Sequence, residues 1–270
     1  MGENMLKIFK QNESRYIRQH GLMGDADDYH IYNMKFIDYI TGFSIGFAGA
    51  SITMYIFFRV IMFSAICGAI GGMILLKHYR GYRLEKRKNT LLLEFRDLLE
   101  ALTTSYSSGK NTMEAFSDAH HDLLELHGEH ADIVKELRLI LNGITNNIII
   151  EDLLMDFANR SDLDDVNSFA NIFESTNRQG GNIKQIVWDT RKILNDKIEI
   201  EMEIKTMITE KENELNVMMI MPLVIMVSLN GLGTMTAVSN NLNNIIVKIV
   251  ALVIFGTAYA IGRKIISIKI

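Results

Sequence analysis

Three groups of residues in this 270-residue chain have types and spacing that chemistry could use. Gly109-Lys110-Asn111-Thr112 matches the last residues of a phosphate-binding loop, where a lysine reaches the phosphates and the next hydroxyl holds a metal ion. That loop also needs a glycine five residues earlier and Ser or Thr directly after the lysine. Thr104 and Asn111 stand there instead, so the stretch reads as a helix C-cap and turn. His120, His121, His127 and His130, with Asp122, Glu125 and Glu129, offer nitrogen and oxygen donors for a metal. An unbroken helix would put His120, His127 and His130 on one face, but Gly128 interrupts it and no HExxH accompanies them. A solvated connection between helices is the stronger reading. Asp162, Asp164 and Asp165 are dense and open a helix, which suits the docking of a basic partner. There is no Gly-x-Ser-x-Gly and no paired acid and base, and the single cysteine, Cys67, cannot form an internal disulfide. No catalytic residue, metal or cofactor is expected, and the chain does not read as an enzyme.

The elements that carry these residues are helices. Leu91, Phe95, Leu98, Leu99, Leu102 and Tyr106 form one stripe, ended by Ser107, Ser108 and Gly109. Met113 and Phe116 open a second helix. Ile133, Val134, Leu137, Ile140 and Leu141 mark a third that stops at Asn142 and Gly143. Ile150, Leu153, Leu154 and Phe157 mark a fourth; Val166, Phe169, Ala170 and Phe173 mark a fifth that ends at Gly180 and Gly181. Gly181 is expected to take the left-handed conformation that glycine favours at a C-cap. Asn182 caps a sixth helix through Ile186, Val187 and Trp188, continuing through Arg191–Glu214. The alternation from Ile198 to Ile204 permits a strand, but without flanking turn signals helix is preferred. Leu93–Ala119 and Asp165–Arg191 echo each other as helix, glycine turn, helix, so a compact bundle of about six helices is expected.

Around this segment lie four uncharged runs. Tyr39–Phe58 holds 20 residues without charge, and 17 more lie between Arg59 and Lys77. Each suits one crossing of a ~30 Å hydrocarbon core. The 33 uncharged residues from Leu215 to Val247 are interrupted by Ser239, Asn240, Asn241, Asn243 and Asn244, giving spans near 216–236 and 245–262. Basic residues gather after span two (Lys77, Arg80, Arg83, Lys86, Arg87, Lys88) and after span four (Arg263, Lys264, Lys269), while the outside turns hold only Arg59. Both termini and the central segment should therefore face the cytoplasm in a multi-pass inner-membrane protein. The expected order is a cytoplasmic segment 1–35, a transmembrane hairpin 36–77, the cytoplasmic helical domain 78–214, a second hairpin 215–262 and a tail 263–270. The N-terminal segment has no apolar run of the kind a secretory signal needs; Met5, Leu6, Ile8 and Phe9 could lie on the membrane face, or the segment could be an unpacked tail. Residues 89–214 hold 12 Lys or Arg against 25 Asp or Glu, a net of −13, which disfavours a nucleic-acid partner.

Small residues at four-residue steps allow close helix approach in lipid, where apolar surface gives no driving force. Gly42, Gly46 and Ala50 form one ladder, and Ser64, Gly68 and Gly72 another; Gly256 and Ala260 repeat it weakly. Pro222, the only proline, should kink span three or mark a hinge.

Two spans, a basic juxtamembrane segment, six helices and two further spans resemble the F-domain platform proteins of type II secretion and of tight-adherence type IV pili. The residues that carry the resemblance are Phe95-Arg96-Asp97-Leu98-Leu99-Glu100-Ala101-Leu102 running to Ser108-Gly109, then Glu174 running to Gly180-Gly181-Asn182-Ile183, and Pro222 early in span three. The resemblance covers about residues 36–265, and the single-domain layout is closer to the tight-adherence branch. Arg96 departs from a family proline, and Arg191–Glu214 is less basic than the family's helix. The resemblance implies a platform that couples a hexameric cytoplasmic secretion ATPase to the extraction and assembly of pilin subunits. Further implied partners are membrane lipid and a second platform protein or copy of itself. A signalling relay is the alternative, disfavoured by outside turns too short for a sensory domain.

Overall fold

The computed structural model describes residues 21–24, 26–31, 34, 36–58, 60–231 and 242–266. Among these the protein is all helical: α1 (Phe36–Phe58), α2 (Ile61–Ser107), α3 (Thr112–His127), α4 (Asp132–Thr145), α5 (Ile150–Ser161), α6 (Asp164–Arg178), α7 (Ile183–Gly231) and α8 (Leu242–Ile266). The residues 198–204 lie inside α7 and form no strand.

The chain divides into two compact units, one of Met1–Tyr32 with Arg83–Asp196 and one of Asn33–Tyr82 with Lys197–Ile270. The core of the first, helical unit draws on the apolar stripes, although Met113 and Trp188, which the stripes included, are exposed. Leu91, Phe95, Leu98 and Leu102 of α2 are buried with Phe116 of α3, Leu137 of α4, Phe157 of α5, Phe169 and Phe173 of α6, and Val187 and Leu194 of α7. The Phe95 ring meets Phe157 at 6.4 Å and Phe169 at 5.6 Å between centroids. Each such ring contributes roughly 1.5–3 kcal/mol by leaving water. Consecutive helices pack in sequence, α3 on α4, α4 on α5 and α5 on α6.

Turns between these helices follow backbone chemistry. At the end of α2, the Gly109 and Lys110 amides bond to Tyr106 and Ser105 carbonyls, with Gly109 at φ 82°. At the end of α6, the Gly180 and Gly181 amides bond to the Asn177 and Thr176 carbonyls, with Gly180 at φ 65°. Both are Schellman motifs, in which the residue after the cap takes the left-handed conformation. The left-handed residue is therefore Gly180 and not Gly181. The expected stop at Gly143 is also displaced. α4 runs on to Thr145, and Asn147 at φ 63° serves in the same motif, its amide bonding to Ile144 O and that of Ile148 to Gly143 O. Gly143 instead permits close packing, since a Cβ there would fall 2.5 Å from Leu153 Cδ2 of α5.

In the other unit α1 and α2 are long and apolar enough to cross a membrane, by length and composition. Their apolar stretches in this unit are largely exposed: Phe36 is 79 % exposed, Ile45 61 % and Met62 81 %. The two ladders face each other. A Cβ on Gly46 would lie 2.8 Å from Gly72 Cα, one on Gly72 would meet Phe43, and one on Gly68 would collide with Ser51. Gly42 approaches Tyr79, and Ala50 lies against Gly71. Ser64 is buried and donates to Ile61 O at 2.8 Å. Gly256 faces open space, so the weak pattern in α8 makes no such contact. α7 continues through Pro222. Arg59, residues 1–20 with Met5–Phe9, and residues 232–241, which hold the end of the expected third span and much of the outside turn, lie outside the described residues.

Candidate functional site

The densest polar arrangement among the described residues lies in the helical unit, and it involves residues 21–24 and 26–31 of the N-terminal segment, for which the sequence left membrane contact and an unpacked tail both open. Glu136 interrupts the α4 stripe between Ile133 and Ile140, and Arg160 follows Phe157 on α5, so helical spacing turns both inward. They meet as a bidentate ion pair, Arg160 Nη1 to Glu136 Oε1 at 2.8 Å and Nη2 to Oε2 at 2.7 Å, with side chains 3 % and 1 % exposed. Arg160 Nε also donates to Asp156 Oδ2 at 2.9 Å.

The segment 21–31 closes over this pair. Tyr29 is fully buried and donates its hydroxyl to Glu136 Oε1 at 2.9 Å, and its amide bonds to the Arg160 carbonyl at 3.0 Å. Arg160 Nη1 reaches the Asp27 carbonyl at 2.9 Å, and the Leu22 amide bonds to Asp156 Oδ1 at 3.2 Å. Arg87 of α2 lies 4.6 Å from the Tyr29 ring centroid in a cation–π contact. It also donates to Asp27 Oδ2 at 2.9 Å and to both Asp132 oxygens at 2.7 and 3.0 Å. His30 bridges Asp28 and Asp162 at 3.0 and 3.3 Å. Beside the network an open cleft of about 370 Å³ is lined by Asp27, Lys135, Glu136, Arg138 and Leu139.

The electrostatics fit an anchor. Burial raises the Tyr29 phenol above its ordinary value and Glu136 adds to the rise, so the hydroxyl stays a donor. Burial also pushes the Glu136 carboxyl up, against the pull of Arg160 and Tyr29. Burial works against the Arg160 charge, but Glu136 and Asp156 more than offset it and hold the guanidinium protonated; we read the pair as ionic at neutral pH. Asp132, which burial alone would raise, is held below the usual carboxylate range by Arg87. Glu136 accepts three hydrogen bonds, so its oxygens are already engaged.

The residues singled out from sequence fall elsewhere. Lys110 pairs with Asp118, and Asn111 caps α3 in a capping box with Glu114, which makes the lysine-containing turn a cap. Asn182 Oδ1 accepts from the Gln185 amide at 3.3 Å at the start of α7. His127 Nε2 contacts Asp97 Oδ2 at 2.9 Å and His121 faces Glu125 at 3.8 Å. Burial, aided by Arg138 and His121, lowers the pKa of His120. Among the described residues no three metal-ligating side chains converge. In the acidic group, Asp162 is the left-handed C-cap of α5 and its carboxylate pairs with Lys88 and His30, while Asp164 is exposed and Asp165 half-buried at the start of α6. Tyr29, Arg87, Glu136 and Arg160 were not anticipated as a group. The available signal was the charge inside two apolar stripes.

No family model, no curated protein and no solved structure matches the chain.

Proposed function

We propose that the protein is the inner-membrane platform of a tight-adherence-like type IV pilus or a type II secretion machine. It couples a hexameric cytoplasmic ATPase to the extraction and assembly of pilin subunits and hydrolyses no ATP itself. The observation that carries the reading is the pair of helices shared by both units. α2 and α7, of 47 and 49 residues, each begin in one unit and end in the other. A long helix without an interrupting loop is stiff enough to carry a displacement along its length.

In this reading α1 and the first part of α2 are spans one and two, the end of α7 belongs to span three, expected near 216–236, and α8 holds span four, expected near 245–262. Both termini and the helical unit are cytoplasmic, as the basic residues at 77–88 and 263–269 favour. The net negative helical unit attracts an ATPase with a basic face, and Asp164 and Asp165 belong to that surface. Asp162 belongs to it as well and also pairs with Lys88 and His30. The platform acts with a second copy or a related platform protein, with lipid and with pilin.

Binding of the full chain in detergent to the secretion ATPase of the same cell, measured against salt, tests this. Affinity should fall as ionic strength rises, and Asp164→Lys with Asp165→Lys should weaken it while leaving helix content unchanged. Cells lacking the protein should make and insert prepilin but display no fibre. Normal fibres in such cells, with no ATPase binding at low salt, would replace the platform with the relay reading.

A further inference from the structure

We infer that the segment of residues 21–24 and 26–31 is a releasable latch on the helical unit, one that can leave without unfolding it. The basis is how the charges are partnered. When the segment departs, Glu136 keeps both hydrogen bonds from Arg160, and Arg160 keeps Glu136 and Asp156. Arg87 keeps both contacts to Asp132, and Asp162 keeps Lys88. Asp27, which loses Arg87, leaves with the segment and is hydrated, and Asp28 leaves together with His30. Each of these four charges of the helical unit keeps a partner, whereas a stranded charge is what makes breaking a buried ion pair destructive.

The apolar side of the contact is equally self-contained. Among the described residues of the segment, Tyr29 alone joins the hydrophobic core, and Leu22 is 57 % exposed. Gly24, at φ 75°, stands with open space around its Cβ position. One buried aromatic ring, the half-buried Met23, Ala26 and Ile31 and a few hydrogen bonds to charged groups are far less than what holds α2–α6 together, so the segment opens below the global unfolding free energy. The contacts also depend on one another. Tyr29 gives its ring to Arg87, its hydroxyl to Glu136 and its amide to Arg160, so withdrawing it loses all three and the segment leaves as a whole.

Hydrogen–deuterium exchange on the full chain in lipid nanodiscs, with no ATPase or pilin present, tests the latch apart from the platform. In the wild type, peptides covering 21–31 should exchange more slowly than a free peptide but faster than α4 and α5. Tyr29→Ala should raise exchange at 21–31 by roughly tenfold or more, with α4 and α5 held within about twofold. Tyr29→Phe, which keeps the ring and loses the hydroxyl, should give a smaller rise. Exchange at 21–31 at the free-peptide rate in the wild type, or unchanged by Tyr29→Ala, overturns the inference. So does a joint rise across 21–31, α4 and α5, or loss of the fold, because the segment would then be part of the core. Any of these leaves the ATPase-binding result standing on its own.

Discussion

Arg160 and Glu136 meet in the core of the helical unit through two hydrogen bonds of 2.8 and 2.7 Å. They join α5 to α4 where both stripes would otherwise be apolar. Removing one partner leaves the other charge buried. Glu136→Ala should therefore cost about 3 kcal/mol, at the lower end for a broken buried pair because Asp156 still contacts Arg160. Glu136→Leu combined with Arg160→Met removes both charges and should recover much of that loss. Thermal unfolding of the full chain in detergent, followed by helix ellipticity, reads both. A double variant less stable than the single one would contradict the account.

The C-terminal turn of α6 gives a prediction between adjacent glycines. Gly180 sits at φ 65° with open space around its Cβ position, so alanine there is strained through backbone conformation alone, by about 1 kcal/mol. Gly181 is not in that conformation, but its Cβ would collide with Thr176 Cγ2. Thr176→Ser should thus rescue Gly181→Ala and leave Gly180→Ala unimproved. Unfolding midpoints of the four variants decide the matter, and rescue at both positions would show that sterics, not φ, governs Gly180.

Glu94 makes folding stability depend on pH. It is buried at 7 % exposure and accepts from the Ile133 amide at 3.0 Å, supplying the side-chain cap that Ala131 cannot give α4. Burial raises its carboxyl above the ordinary value, against the pull of the Ile133 amide. A carboxyl raised on folding contributes stability that is complete below the ordinary glutamate range and lost as pH rises through the folded value. Asp132 has the opposite sign: it is lowered, so its contribution is present above about pH 4 and lost only in stronger acid. Above the ordinary glutamate range the Glu94 slope should show, with stability rising as pH falls from neutral. Glu94→Gln keeps an acceptor for Ile133 and removes the titrating charge, so the variant should be no less stable than wild type at pH 7 and lose its advantage towards pH 5. Glu136, raised in the same direction, adds the same slope to both proteins and cancels from the comparison. A pH-independent difference would rule out the Glu94 assignment.

Periodicity made the helices and their inward residues legible, because apolar side chains at steps of three and four have one way to leave water. Leu91, Phe95, Phe169 and Phe173 are buried as their spacing requires. Turn positions were legible to within a few residues. Asn142-Gly143 marked the end of α4, but Leu153 needs the space at Gly143, and Asn147 supplies the turn. The segment 21–31 was not legible. Its anchoring depends on Arg160, Glu136 and Arg87, which lie far along the chain, and charged residues ahead of a membrane span ordinarily stay in water. Nothing local tells a tail from a docked segment; the missed clue was in its receptor, where Glu136 and Arg160 occupy positions that only a buried partner makes tolerable.

The contact between α1 and α2 supports the last prediction, drawn from two glycines three residues apart on one helix. Gly46 faces α2 so closely that a Cβ would lie 2.8 Å from Gly72 Cα and 3.1 Å from Gly71 O, both backbone atoms that cannot rotate aside. Gly49 has nothing within 4 Å of its Cβ position. Leucine at either site gains the same helix propensity, up to about 1 kcal/mol over glycine, so propensity cannot separate the two. Overpacking can: Gly46→Leu must push the helices apart, at a cost of about 1–3 kcal/mol that outweighs the propensity gain. Gly49→Leu should be neutral or slightly stabilising. In lipid the loss of close approach removes van der Waals contact that hydrophobic burial does not replace, so the difference should persist from detergent to nanodiscs. Thermal unfolding of the full chain, with each variant in both media, supplies the comparison. Equal effects at the two positions would mean that α1 does not meet α2 along the Gly42–Gly46–Ala50 ladder, and that the shape of the first hairpin rests on some other face of α1.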